Sequence, residues 1–84
     1  MTGIAIGISA ETSIIVSEND TATSFGSGLV AVYATPALVG LMENAAVKAL
    51  EGRLPAGRTT VGGRMDVRHL AATPVGMRVR ARAE

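Results

Sequence analysis

The stretch Tyr33-Ala-Thr-Pro-Ala-Leu-Val-Gly-Leu-Met-Glu-Asn-Ala-Ala-Val-Lys-Ala-Leu50 constrains this fold more than any other. It carries the one strong helix signal in the chain. Thr35 suits an N-cap, and Pro36 suits the first helical position, where its missing N–H would be unpaired anyway. Gly52 and Pro55 mark the stop. At about 100° per residue, Leu38, Val39, Leu41, Met42, Ala45, Ala46, Ala49 and Leu50 share one broad apolar arc. Gly40, Asn44, Lys48 and Glu51 form a narrow polar strip. An arc this wide predicts a helix largely enclosed by a curved sheet. Glu43 falls at the edge of the arc, beside Val39, Val47 and Leu50, where a carboxylate is costly unless paired or used.

The rest of the chain must supply that sheet. Residues 4–17 alternate, with Ile4, Ile6, Ile8, Ala10, Thr12, Ile14 and Val16 on one side. Period two with β-branched residues predicts a half-buried strand. Residues 18–28 are small and polar and read as a plain connection, with a mobile flap as the second reading. Leu29–Tyr33 is a short strand or packed coil. Thr59–Ala71 alternates again, with Val61, Gly63, Met65, Val67, His69 and Ala71 on the inward face. Thr73-Pro74-Val75-Gly76 reads as a type I turn with Pro74 second. Met77, Val79, Ala81 and Ala83 then alternate with Arg78, Arg80 and Arg82, which predicts a hairpin with the preceding strand. These patterns indicate one α+β domain over residues 1–84. Its sheet edges remain unpaired, so either other chains pair them or the domain is part of a longer protein.

Composition narrows the chemistry. In 84 residues, 48% hydrophobic, there is one Phe, one Tyr and no Trp, so the core must be aliphatic. The absence of cysteine excludes disulfides and thiol nucleophiles. A net charge of +1 gives no argument for nucleic acid. No apolar run approaches the ~20 residues of a membrane span, so a soluble cytoplasmic protein is expected. No phosphate loop, dinucleotide fingerprint or metal-ligand cluster is present, and neither cofactor nor metal is expected.

Two ionisable groups are predicted to face inward, Glu43 from the helix and His69 from the facing strand. Thr35 adds a hydroxyl at the helix start. A carboxylate, an imidazole and a hydroxyl meeting in an apolar cleft suit general acid–base hydrolysis. Each also has a plainer reading: a half-solvated Glu, a hydrogen-bonded structural His, a capping Thr. The row Arg78, Arg80, Arg82 reads as a solvated strand face, and secondarily as a site for an anionic group such as the phosphates of coenzyme A. Gly62-Gly63 permits close backbone approach, or offers the Gly62 N–H to a carbonyl oxygen.

The strings Ala34-Thr-Pro-Ala-Leu-Val-Gly-Leu-Met-Glu43, Thr60-Val-Gly62 and Val67-Arg-His-Leu-Ala-Ala-Thr-Pro-Val-Gly-Met77 resemble the hotdog-fold thioesterases, in the fluoroacetyl-CoA thioesterase-like branch. The resemblance implies a long helix wrapped by an antiparallel sheet, paired into a homodimer or higher oligomer with the acyl-CoA site at the interface. It implies hydrolysis of an acyl-CoA thioester to free acid and CoA. Thr35, Glu43 and His69 take the catalytic positions: Glu43 as base or nucleophile, His69 for the proton and leaving thiolate, Thr35 to position Glu43 or water. Gly62 would hold the thioester carbonyl, and Phe25 and Leu29 would contact substrate. The fluoroacetate-specific members carry aromatic lid residues where this chain has Gly26 and Leu29, so fluoroacetyl-CoA is not the expected substrate. Family members continue with two more long strands, so the domain reads as truncated. Three other readings stand beside this one: a non-catalytic acyl-CoA-binding hotdog, a hotdog hydratase or dehydratase, and an interaction module that recruits a partner strand.

Overall fold

The computed structural model describes residues 7–58, 62 and 66–84. Its elements are strand β1 (Ala10–Ile15), a 3-10 turn (Glu18–Asp20), helix α1 (Ala22–Phe25), helix α2 (Thr35–Leu50) and strand β2 (Arg78–Ala83). The expected strand segment 4–6, and the part of Thr59–Ala71 at 59–61 and 63–65, lie outside the described residues.

β1 and β2 pair antiparallel, from Ala10 opposite Ala83 to Ile15 opposite Arg78. The backbone of Val16 extends the pairing, with its N–H on the Met77 carbonyl at 2.8 Å and its carbonyl on the Gly76 N–H at 2.9 Å. Side-chain parity follows the alternation. Ala10, Thr12, Ile14, Val79, Ala81 and Ala83 are buried or half-buried, while Glu11, Ser13 and the three arginines are exposed. Glu11 sits directly opposite Arg82 in the register. The arginine row is a solvated face: Arg78 donates to Ser13 Oγ, and Arg82 donates to Ser9 Oγ and to the Glu84 carboxylate.

Helix α2 lies on the inner face of this pair. Its contact stripe is Leu41, Ala45 and Ala49, packed with Ala81 and flanked by Ile14, Val79 and Ala83. Spacing of four puts these residues one above another, and alanine lets the helix approach the sheet closely. Lys48 of the polar strip reaches back to the sheet, with Nζ 3.3 Å from Thr12 Oγ1.

Several sequence expectations are corrected. The helix is not enclosed: among the described residues only one stripe is buried, and Met42, Ala46 and Val47 are exposed. The two strands touch one side of α2 and leave the other side of the arc uncovered. Thr35 is not the N-cap. Ala34, with extended backbone, takes that place, Thr35 begins the helix, and the Thr35 hydroxyl is committed elsewhere. Residues 18–28 are not a plain connection. Asp20 accepts from the Ser17 N–H and hydroxyl, Thr21 donates to the Glu18 carbonyl, and Gly26 closes α1 at φ 69. These local bonds outcompete open coil.

Among the described residues no hairpin joins the last two alternating segments. Residues 66–70 keep the expected parity, with Val67 and His69 half-buried, but form no strand, and Ala71, expected inward, is exposed. They run beside the chain entering α2 instead, where Val32 bridges Pro74 and the Tyr33 N–H donates to the Thr73 carbonyl at 2.7 Å. β2 is therefore free to pair with β1. The intervening turn is shifted by one residue: Met77 N–H bonds the Pro74 carbonyl, which puts Gly76 third with φ 93. A positive φ at the third position is type II geometry and favours glycine.

Candidate active site

The N-terminus of α2 is held by backbone pairing on both sides. Thr21 bridges Tyr33, the Ala34 N–H donates to the Asp20 carbonyl at 2.8 Å, and the Tyr33 N–H donates to Thr73. Strand-like pairing with residues 73–74 draws the preceding segment, and with it His69, toward the first turn of the helix. Thr35 Oγ1 lies 2.7 Å from His69 Nδ1. With the hydroxyl as donor, Nδ1 accepts and Nε2 carries the ring proton, presented as a donor. His69 is half-buried and Thr35 exposed, so the pair sits at the mouth of a cleft. That cleft has a volume of about 260 Å³ and is lined by Ala22, Val32, Tyr33, Thr35 and residues 69–72.

Glu43 stands two turns further along, about 12 Å up the helix axis at 1.5 Å per residue. Its expected inward orientation is corrected: the residue is exposed, because the sheet contacts a different stripe of α2. Its carboxylate nevertheless has a defined neighbour. A Cβ built on Gly62 would come within 3.0 Å of Glu43 Oε2. The carboxylate therefore lies against the Gly62 backbone, in space that only a glycine leaves open. The single chain thus brings Thr35 together with His69, and Glu43 together with Gly62.

The remaining candidates are set apart. Phe25 lines a second cleft of about 440 Å³ between α2, β1 and the 20–33 segment, with Ile14, Pro36, Ala37, Gly40 and Leu41 among its walls. Leu29 projects into solvent, 99% exposed. Among the described residues no cluster of three His, Cys, Asp or Glu side chains could hold a metal ion.

Tyr33 was not singled out by the sequence reading. It is 3% exposed, and its hydroxyl donates to the Ala37 carbonyl at 3.1 Å. Burial pushes its phenol above the ordinary value of 10.0, and the nearby Asp20 carboxylate adds to the shift. The available signal was that the chain's only tyrosine immediately precedes the helix start.

Comparison with known proteins places the fold and the family. A family model described as fluoroacetyl-CoA-specific thioesterase, FlK, matches residues 16–84. The fluoroacetyl-CoA thioesterase of Streptantibioticus cattleyicolor is 45% identical over 53 residues, which is 63% of this chain and 38% of that protein. The fold resembles a crystal structure of a phenylalanine-to-alanine variant of FlK in complex with fluoroacetate and CoA. That TM-score is 0.85 at 31% identity, over 96% of this chain and 70% of the other. A second structure of FlK gives a TM-score of 0.86 at 32% identity, over 98% of this chain and 65% of the other. The match thus spans well under half the length of the curated relative and about two thirds of the solved chains. The long helix on an antiparallel sheet is a hotdog architecture, as the sequence motifs imply. Matched over residues 16–84 in sequence and over nearly its whole length in fold, the chain belongs to the fluoroacetyl-CoA-specific thioesterase family.

Proposed function

We propose that this protein hydrolyses an acyl-CoA thioester to the free acid and CoA. The observation that carries the reading is the 2.7 Å contact between Thr35 and His69 at the mouth of a cleft, with Glu43 seated on Gly62 along the same helix. The Gly62 N–H holds the thioester carbonyl and stabilises the oxyanion. Glu43 either takes a proton from water, whose oxygen attacks the carbonyl carbon, or attacks that carbon itself to give a mixed anhydride, which water then hydrolyses to the free acid and the Glu43 carboxylate. The C–S bond breaks as the tetrahedral intermediate collapses. His69 Nε2–H donates to the departing thiolate and relays to it the proton that water gives up, so the ring ends neutral. Thr35 fixes the imidazole ring and its tautomer rather than touching Glu43. A homodimeric or higher assembly and a cytoplasmic setting belong to the same reading.

The acyl group we assign is not fluoroacetyl. The FlK relatives are named for that substrate, and the lid positions of this chain do not suit it. Gly26 is the left-handed end of α1, and Leu29 is turned out to solvent.

The test is thiol release from acetyl-, isobutyryl-, phenylacetyl- and decanoyl-CoA. Glu43→Gln and His69→Ala are each expected to lower kcat by about 10²–10⁴-fold, the usual weight of a general acid or base. Full activity in both variants would overturn the site. Tight acyl-CoA binding without thiol release by the unmodified chain would favour the non-catalytic alternative.

A further inference from the structure

The cleft at Thr35–His69 and the second cleft at Phe25 adjoin without merging. Among the described residues, Tyr33 is the one side chain that borders both. It is almost fully buried, and its hydroxyl is tied to the Ala37 carbonyl on the second cleft's wall. Its backbone is pinned from two sides, by Thr21 and by Thr73. A ring held at both ends is a fixed wall, not a gate. The first cleft, at about 260 Å³, falls just short of the roughly 300–1,000 Å³ of common small-molecule sites. Together the two clefts would fall within that range. The space beyond Tyr33 is bounded mainly by Ile14, Phe25, Pro36, Ala37 and Leu41, with Thr12, Asp20 and Asn44 as its polar members.

We propose that Tyr33 sets the acyl-length limit of this protein by walling the Thr35–His69 cleft off from the second cleft, so that short acyl thioesters are the preferred class. This rests on the thioesterase reading above. An acyl chain lying past His69 meets the tyrosine ring after a few carbons. Each methylene that cannot be seated loses about 10-fold or more in discrimination.

The test compares the unmodified protein with Tyr33→Val, Tyr33→Phe and Gly40→Leu. Thiol release is followed on acetyl-, butyryl-, hexanoyl- and decanoyl-CoA, and Kd is measured for the matching non-hydrolysable thioethers. Tyr33→Val should raise the hexanoyl-to-acetyl ratio of kcat/KM about 10-fold or more, whereas Tyr33→Phe keeps the ring and so the original ratio. Gly40→Leu fills the second cleft, where a Cβ meets nothing within 4 Å. It should leave the chain-length profile of the otherwise unmodified protein unchanged, because that cleft is not in use. An unchanged ratio in a folded Tyr33→Val variant would overturn the assignment. If Tyr33→Val does not fold, selective loss of decanoyl turnover in Gly40→Leu would overturn it instead, by showing the second cleft already occupied. Thioether binding without release would defeat only the hydrolase reading, with the Kd profile then testing Tyr33. No binding at any chain length would defeat both.

Discussion

Gly62 and Glu43 show what one missing side chain can do. A methyl group at Gly62 would sit 3.0 Å from Glu43 Oε2, at the far end of a flexible side chain. The glutamate can swing away at little cost, so Gly62→Ala should leave the melting temperature nearly unchanged. The displaced carboxylate should nonetheless lower kcat by about 10-fold or more, since small misplacements of a reacting group are expensive. Parallel unfolding and kinetic measurements separate the two, and loss of stability matching loss of rate would defeat the argument. Tyr33 supports a second prediction. Its folded pKa lies above its ordinary value of 10.0, so the native state keeps the proton longer than the unfolded chain does. The resulting stability is fully present below pH 10 and is lost as pH rises through the folded value. Denaturation midpoints should therefore fall above pH 10 in the wild type, and the fall should be shallower in Tyr33→Phe. As Tyr33 is the only tyrosine, tyrosinate absorbance reports its titration directly. At this scale, strand parity predicts the half-buried His69, and the helix start puts the Thr35 hydroxyl beside the same cleft. That the two meet in one cleft is a sequence expectation, but their direct bond is not legible from local pattern, because it joins residues 34 positions apart. The inward reading of Glu43 failed because the wheel locates an apolar arc but not which part of it the sheet covers.

Elements differ in how much local pattern determines them. β1, α2 and β2 each follow from residue periodicity, and their buried positions are those the period selects. The partner of β2 does not follow, because alternation gives a strand two faces and says nothing about which edge it joins. A short turn favoured a hairpin with 59–71. Tyr33, Thr73 and Pro74 pair instead, and Val16 captures the start of β2. Residues 18–28 escaped for a different reason: side-chain bonds of Ser17, Asp20 and Thr21 fold a polar segment that has no apolar period to read. The helix–sheet contact offers a sharp test. Ala45 is completely buried, and Ala46, the next residue, is exposed. Ala45→Leu should cost about 1–3 kcal/mol by overpacking, while Ala46→Leu should stay within about 0.5 kcal/mol of the wild type. Denaturant melts of both variants check this, and equal costs would mean that α2 buries a different stripe.

The whole molecule is more extended than its length suggests. Its radius of gyration is 14.8 Å, with extents of 48 × 22 × 20 Å, against about 12 Å for a compact chain of this length. The described buried core is dominated by small residues, with Ala34, Ala45, Ala49 and Ala81 beside Val16, Tyr33 and Leu41. Meanwhile Met42, Val47, Leu70 and Met77 stand exposed. Met42 and Val47 lie on the part of α2 that β1 and β2 leave uncovered. Apolar surface of this kind is stabilised by association, at about 25 cal/mol for each Å² removed from water. A second copy of the chain is the occupant we predict, in line with the homodimeric or higher assembly proposed above. Sedimentation equilibrium at micromolar concentration should therefore give at least twice the mass of one chain. Met42→Lys and Val47→Lys should shift that equilibrium toward the single chain, because either change puts a charge where an apolar contact is needed. Acyl-CoA turnover should fall in step with the associated fraction. A wild type that sediments as one chain while retaining full turnover would separate catalysis from assembly. It would place the whole reaction on the Thr35–His69 and Glu43–Gly62 contacts of one helix.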